Sequence, residues 1–480
     1  MKHINEIKPE VKTSTNSLVS ALFKDTSVGT TENGAKTYTR TASALVDFFA
    51  QAGAMRGRVD DAVTLFSRAY SEDKLTAVRL MFYFRDIRGG QGERNLFREC
   101  LKWLAENDKD VFATIIKYVP EYGRFDDIFF DSEVCIEAIK NQLMEDSKTP
   151  SPSLLAKWLP TINASSPTTR AKAKAIAQML GITDINYRKT VRALRAKIKT
   201  VEEKMSANKW SEIDYSHVPS RANKIYSKAF KRHDEDRYSA FIDSAEKGEV
   251  KINSSTLYPY EIYKSVVSNN PSATALWNAL PDYTQGKNAL VVADVSGSMS
   301  GDPMAVSVSL AMYFAERNVG AFNGYFMTFS EKPTLQKVVG TTLKEKINNL
   351  ERAHWGMNTN LQAVFTTILS TAVQNKIPQA EMPSTIYIIS DMEFDSCVSG
   401  KTNLKSIREE YTQAGYEVPS VVFWNVNSRQ NNLPSWNDET GVALVSGLSP
   451  SVFKMAVEDK TPEQVMLDTA NSERYSQIVI

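Results

Sequence analysis

Between about residues 41 and 242 the apolar positions recur at intervals of three and four, the period of helices that bury one face. Leu45, Phe48, Phe49 and Ala52 show the spacing, as do Ala62, Phe66, Ala69 and Tyr70, then Ala77, Leu80, Met81 and Phe84. The alternation that marks half-buried strands is nearly absent. Breaks at Gly53, Gly89-Gly90, Pro120, Pro152 and Pro160 divide the run into helices of ordinary length. The pattern predicts an all-α stack of helix pairs, repeat-like in architecture although no fixed sequence period recurs. Ahead of it, residues 1–40 are rich in Ser, Thr, Asn and Gly and read as an irregular arm.

The pattern changes near residue 286. Ala289-Leu290-Val291-Val292-Ala293 is a continuous apolar run of the kind that a parallel strand covered on both faces requires. Further strands are expected at 325–329, 385–389, 418–426 and 442–445, separated by helices at 304–317 (after Pro303), 343–350, 361–373 and 404–414. Such alternation predicts an α/β doubly wound, Rossmann-like domain. The expected organisation is therefore multidomain: arm 1–40, helical domain 41–285, α/β domain 286–460 and C-terminal tail 461–480.

Length and composition agree with folded units. A chain of 480 residues has room for two or three cores, and 42% apolar with 24% charged residues is ordinary for a globular protein. The formal charge of +1 supplies no overall pull toward nucleic acid or membrane, so any such affinity must be local. Cys100, Cys135 and Cys397 are three in number and lack metal-ligand spacing, which speaks against a disulfide framework and a zinc module. The N-terminal residues lack the apolar core of a signal peptide, and no stretch approaches the ~18 apolar residues of a membrane span. A cytoplasmic location with no membrane partner is the expectation.

In a doubly wound sheet ligands bind outside the carboxyl ends of the strands. Three such places carry hard oxygen groups: Asp294, Ser296 and Ser298 after the first strand, Thr359 in a loop before a helix, and Asp391 after the run Ile386 to Ser390. Two carboxylates and three hydroxyls without imidazole or thiolate suit Mg²⁺, with Mn²⁺ or Ca²⁺ able to substitute. The plain alternative is that these side chains satisfy loop backbone groups. The Asp-x-Ser-Gly-Ser-Met form ending at Met299, then a Thr, then an Asp, resembles the metal-ion-dependent adhesion site of von Willebrand factor A domains. That resemblance implies binding of an acidic side chain from a protein partner. Glu393 and Asp395 are the candidate bases for an enzymatic reading, and His354 beside Trp355 reads as a packed or surface histidine. With no Walker loop or Gly-x-Ser-x-Gly elbow, no catalytic residue is assigned.

The helical half holds a local basic stretch. From residue 170 to 199 there are nine Lys and Arg residues, among them Arg170, Lys172 and Lys174, with Asp184 the one acid. Arg188, Arg192, Arg195 and Lys199 recur at helical spacing, with Lys189 adjacent. Like charges so placed repel by a few tenths of a kcal/mol per pair, a cost that a bound polyanion would offset. These five residues are the candidate RNA contacts; the alternative is a solvated face balanced by Glu202 and Glu203. Tyr187, Trp210, Tyr226 and Phe230 read as core aromatics, or as stacking platforms for bases if exposed.

The segment Arg85-Asp86-Ile87-Arg88-Gly89-Gly90-Gln91-Gly92-Glu93-Arg94 reads as a tight interhelical turn tied by ion pairs rather than as a phosphate loop. Together with Tyr122-Gly123-Arg124-Phe125-Asp126-Asp127 and the α/β domain, it resembles an uncharacterised plant, fungal and phage family related to the TROVE-domain Ro ribonucleoproteins. That kinship implies a HEAT-like helical domain and RNA binding. The leading expectation is a Ro-like RNA-binding protein, a ribonucleoprotein component or RNA chaperone, with a Mg²⁺-dependent protein-binding domain. The alternatives are a metal-dependent protein adaptor without RNA and a metal-dependent nucleic-acid hydrolase.

Overall fold

A computed structural model describes residues 24–329, 332–351, 359–396 and 403–480. Residues 1–23, His354, Trp355, the loop residues Gly356, Met357 and Asn358, and Cys397 lie outside the described residues.

The three- and four-residue spacing becomes helices whose ends carry recognisable caps. Ser43 accepts the Val46 amide at the start of Ala44–Gln51, and Asp73 accepts the Thr76 amide at 2.7 Å at the start of Lys74–Arg85. Val59–Glu72 and Arg94–Asn107 pack against them, and their aromatics meet edge to face, Phe48 with Phe84 at 5.1 Å and Phe82 with Phe97 at 5.2 Å. Each such buried ring contributes about 1.5–3 kcal/mol from area alone. The helical half continues to Ala273–Asn278. Among the described residues no helix is long and apolar enough to cross a membrane.

The C-terminal half is built on a six-stranded mixed sheet. Its strands are β3 (Ala289–Ala293), β4 (Tyr325–Thr328), β5 (Leu335–Lys337), β6 (Thr385–Ser390), β7 (Ser420–Asn425) and β8 (Val442–Ser446). They lie in the order β5-β4-β3-β6-β7-β8, parallel throughout except for the antiparallel edge strand β5. The chain moves to one side of β3 to form β4 and then to the other to form β6, so the order reverses between β3 and β6, the usual place for a ligand crevice. The helix Asp302–Arg317 has ten consecutive buried residues, 306–315, because it is sandwiched between this sheet and the helix Pro259–Val267.

Two terminal segments differ from expectation. The arm is not wholly irregular: β1 (Val28–Thr30) and β2 (Lys36–Tyr38) form an antiparallel hairpin. Its turn uses Asn33-Gly34, with Gly34 at φ 85°, a conformation in which a side chain would be strained. Tyr38 and Leu433 exchange backbone hydrogen bonds of 3.0 and 2.9 Å, fastening the hairpin to the C-terminal half. The expected tail contains the helices Pro462–Ala470 and Glu473–Ser476, the first opened by a Thr461/Gln464 capping box.

These C-terminal helices return to the helical half, and the glycine-rich turn receives them. Asp86 accepts from the Arg474 guanidinium, one bond being 2.8 Å, and from the Tyr475 hydroxyl at 3.0 Å. Gln91 accepts the Ser449 amide at 3.0 Å, while Arg79 donates to the Ser476 and Ile478 carbonyls. A side chain at Gly90 would meet the Tyr83 carbonyl oxygen at 1.8 Å, which explains the glycine. Arg85 turns the other way and pairs with Asp127 at 2.7 Å, and Asp127 also accepts from Arg98 and from the Arg124 amide. The ion pairs of the turn thus run outward, Arg85 to Asp127, Asp86 to Arg474, Glu93 to Arg56 and Arg88 to Glu121, rather than within the turn itself.

Removing one member of a buried ion pair strands the other. Asp127→Ala is expected to cost about 3–5 kcal/mol. Asp126→Ala, whose side chain is 21% exposed, is expected to cost roughly 1 kcal/mol. Denaturant unfolding monitored by tryptophan fluorescence measures both; equal losses would contradict the burial argument.

Candidate metal centre

Register fixes the centre. β3 and β6 pair from Ala289 with Thr385 to Ala293 with Ile389, so Asp294 and Asp391 leave neighbouring strands together. Both are buried. The Asp294 amide donates to the Ile389 carbonyl at 3.0 Å, continuing the ladder one residue past the strand. Its carboxylate accepts from the Ser296 amide at 2.9 Å and from the Ser390 hydroxyl at 2.6 Å. Ser296 and Ser298 face one another with their hydroxyl oxygens 3.0 Å apart. Asp391 accepts the Glu393 amide at 3.2 Å.

Thr359 reaches the same end of the sheet from the loop ahead of Leu361–Asn375. Its amide donates to Asp395 at 3.0 Å, and its hydroxyl oxygen lies 2.8 Å from the Glu393 carbonyl oxygen and 3.0 Å from an Asp395 carboxylate oxygen. The structure therefore joins Asp294 to Ser296 and Ser390, Ser296 to Ser298, and Thr359 to the segment following Asp391. Glu393 is buried and accepts from the Glu32 amide at 2.7 Å and the Asn432 side chain at 2.8 Å, so it is part of the hydrogen-bonded wall.

Three residues of this neighbourhood escaped the sequence reading. Arg429, after β7, donates from Nε to Asp391 at 3.2 Å and reaches Glu32 with another guanidinium nitrogen. Glu32 and Asn33 come from the hairpin turn, where the Asn33 amide group donates to the Thr359 hydroxyl at 3.2 Å and to the Glu393 carbonyl at 2.7 Å. The local signal was present in Asn33-Gly34, a strong turn pair, but nothing local connects it to residues more than 300 positions away.

The donor set passes a chemical test for a hard cation. Two carboxylates and three hydroxyls are the oxygen ligands that Mg²⁺ or Mn²⁺ prefers, completed by water. Among the described residues no group of three or more His, Cys, Asp and Glu side chains gathers as a ligand set, so a cation here rests on the two aspartates and the hydroxyls. Burial, with the charge of Asp391 beside it, pushes the Asp294 carboxyl up to about 6, against hydrogen bonds from Ser390 and Ser296 that pull it down.

A family model described as a domain of unknown function, DUF2828, matches residues 31–119 and 163–293. A second, described as a domain of unknown function, DUF7788, matches residues 288–477. The two matches meet on β3, at the change from helices to sheet. An uncharacterised protein of Acanthamoeba polyphaga mimivirus is 29% identical over 493 residues, covering 91% of this chain and 86% of its own. A crystal structure of the Ro (RSR) protein of Deinococcus radiodurans matches with a TM-score of 0.34 and 12% identity, covering 90% of this chain and 94% of that one.

The basic stretch lies on the helices Pro167–Met179 and Asp184–Ile198. Arg188, Lys189, Arg192 and Lys199 are exposed, as are Lys172 and Lys174, and none of the six has an acidic partner among the described residues. Glu202, expected to balance them, instead approaches Lys157 and the Tyr226 hydroxyl. Arg195 leaves the shared face. Its guanidinium donates to the Ala156 carbonyl at 2.8 Å, to the Thr161 hydroxyl at 2.7 Å and to the Leu159 carbonyl. The reason is its place on the helix, at the edge of the buried stripe of Tyr187, Val191 and Leu194, where it caps the carbonyls that end Leu155–Trp158. Arg170 and Lys197 are likewise held by backbone carbonyls. Tyr187 is buried and donates to the Pro160 carbonyl, which makes it a core aromatic.

A carboxyl raised by burial favours the fold while protonated. Its contribution is complete below the ordinary value of 3.8 and is lost as pH rises through about 6. Without metal, Asp294→Asn is therefore expected to stabilise the protein at pH 7.5, by up to about 3 kcal/mol, and to leave it nearly unchanged at about pH 3, below the ordinary value. The same substitution should abolish stabilisation by added Mg²⁺. Thermal unfolding with EDTA or Mg²⁺ across this range measures both effects, and a less stable Asn variant at pH 7.5 would contradict the charge argument.

Proposed function

We propose that the chain is a two-part RNA-binding protein that works by binding rather than by catalysis: a helical scaffold holds RNA on a basic face, and the sheet domain holds Mg²⁺ as a docking point for a carboxylate of a protein partner. The RNA half of this reading is carried by one observation, the six unpaired cations on Pro167–Met179 and Asp184–Ile198. Charges of one sign gathered without counter-ions favour a polyanion. The cation half is carried by the buried Asp294 and Asp391 at the point where strand order reverses.

The strand order, with first, second and third strands running outward on one side of the sheet and the fourth to sixth on the other, is that of doubly wound folds. With Asp294, Ser296, Ser298, Thr359 and Asp391 at the carboxyl ends of its strands, it supports reading this domain as a von Willebrand A type. When bound, a Mg²⁺ ion supplies a Lewis-acidic position for an incoming carboxylate. Asp294 and Asp391 would hold it, the serine and threonine hydroxyls would orient it, and the hydrogen bonds of Ser390 and the Glu393 amide keep the two aspartates in place.

The RNA assignment is tested with single-stranded RNA and the triple variant Arg188→Gln, Lys189→Gln, Arg192→Gln. Affinity is expected to fall at least tenfold near physiological salt, and the slope of log affinity against log salt to flatten by roughly 2 for three lost phosphate contacts. Arg195→Gln should lower the melting temperature instead. Undiminished RNA binding by the triple variant would remove this face from the interface, and an RNA-free protein that captures a partner in a Mg²⁺-dependent way would favour the adaptor reading.

A further inference from the structure

Arg429 places one positive charge against the carboxylate that a cation needs. Its Nε donates to Asp391 at 3.2 Å, and its other branch holds Glu32 in the turn of the N-terminal hairpin. The same turn is fastened beside the centre by the Glu32 amide on Glu393, the Asn33 side chain on Thr359 and the Thr31 hydroxyl on the Phe394 carbonyl, the last at 2.6 Å. Ser396 donates in return to the Asn33 carbonyl at 3.2 Å. The hairpin and the candidate cation thus meet in one guanidinium group.

We propose that Arg429 and Glu32 form a clasp that couples cation binding to hairpin docking, so that a divalent ion at Asp294 and Asp391 loosens the hairpin, and a docked hairpin weakens the ion. The inference rests on the metal reading above and concerns its regulation. A divalent ion next to Asp391 repels the guanidinium that now lies there, and an arginine pushed away from Asp391 takes its hold on Glu32 with it. Coupling between two bound states is reciprocal, so whatever the ion does to the hairpin the hairpin does to the ion. The pair is suited to opening: the Glu32 side chain is 51% exposed and Arg429 is 35% exposed, whereas Asp391 is buried. Release of the turn would uncover Thr359 and Glu393, the surface beside the ion, so a protein partner that docks there would compete with the hairpin for it.

The two members of the clasp should act with the same sign, which loss of charge alone would not produce, since removing a carboxylate near a cation by itself weakens it. Mn²⁺ alone is the probe, with bound ion followed on the full-length chain by electron paramagnetic resonance. Arg429→Gln removes the repelling charge and is expected to tighten Mn²⁺ five- to tenfold. Glu32→Gln frees the hairpin turn from the guanidinium and is expected to tighten Mn²⁺ several-fold as well, while Arg429→Lys keeps the charge and should stay near the parent. In the parent protein Mn²⁺ should speed hydrogen exchange of the amides of residues 28–38 several-fold, and in Arg429→Gln it should not. Weaker Mn²⁺ binding in Glu32→Gln, or exchange unchanged by bound Mn²⁺, would overturn the clasp while leaving the metal centre standing. Failure of the parent to bind Mn²⁺ at millimolar concentration would overturn both.

Discussion

The relation between the two halves hangs on a single turn. Asp86 and Gln91, five residues apart, take hold of Arg474, Tyr475 and Ser449 from the far end of the chain, while the neighbouring Arg85 anchors the turn to Asp127 within the helices. Buried charges of this kind are weak evidence for net stability, since their desolvation offsets much of their attraction. Their value lies in position. An arginine and an aspartate that are costly to leave unpaired permit one arrangement of the C-terminal helices on Lys74–Arg85, and that arrangement sets β8 against Ala44–Gln51. There Ser446 donates to the Phe49 carbonyl at 2.8 Å and accepts the Gly53 amide at 3.0 Å. Gly53 is required at that contact, because a side chain would meet the Ser446 carbonyl oxygen at 2.7 Å.

The centre on the sheet depends on a second fastening. Two aspartates at adjacent strand ends are a product of the β3–β6 register alone, but the wall around them is not. It is completed by a hairpin from before the first helix of the helical half, whose strand β2 is tied to Leu433 and whose turn is tied to Thr359, Glu393 and Arg429. A fragment beginning at β3 would keep both aspartates and lose the groups that cover them. The N-terminal hairpin and the sheet, at opposite ends of the helical half in sequence, thus share one site.

What the sequence made legible follows from how local the cause is. The buried run Ala289–Ala293 and the helical spacing from Leu45 onward depend on residues close together, and periodicity reports those directly. The hairpin had a local signature in Asn33-Gly34, but its strands of three residues are too short for alternation to show. Arg429 and Glu32 had no signature at all, because their meeting is set by tertiary packing across nearly the whole chain. The glycine-rich turn was legible as a turn tied by ion pairs, whereas its partners, Asp127 and Arg474, were not. Arg195 shows a finer limit. Spacing placed it on the basic face, yet a long side chain at the border of a buried stripe goes where unpaired carbonyls need a donor, and spacing carries no information about those.

The arginines divide by what they touch, and that division separates scaffold from surface. Arg85, Arg98, Arg124 and Arg474 are matched to aspartates, Arg170 and Arg195 to carbonyls, and Arg188 and Arg192 to no acid among the described residues. A formal charge of +1 is consistent with all three uses at once, because a matched pair cancels in the sum and an unmatched cation is offset by an acid elsewhere. Net charge therefore cannot report a binding face in a chain of this size. The quantity that can is the local excess left after each buried or capping cation has been assigned its partner, and six such unmatched cations lie on two adjacent helices of one half. Arg429 belongs to neither the scaffold nor that surface: it is matched, but to two acids on separate segments, one of them a candidate ligand, and a cation shared in this way is one whose partner can change.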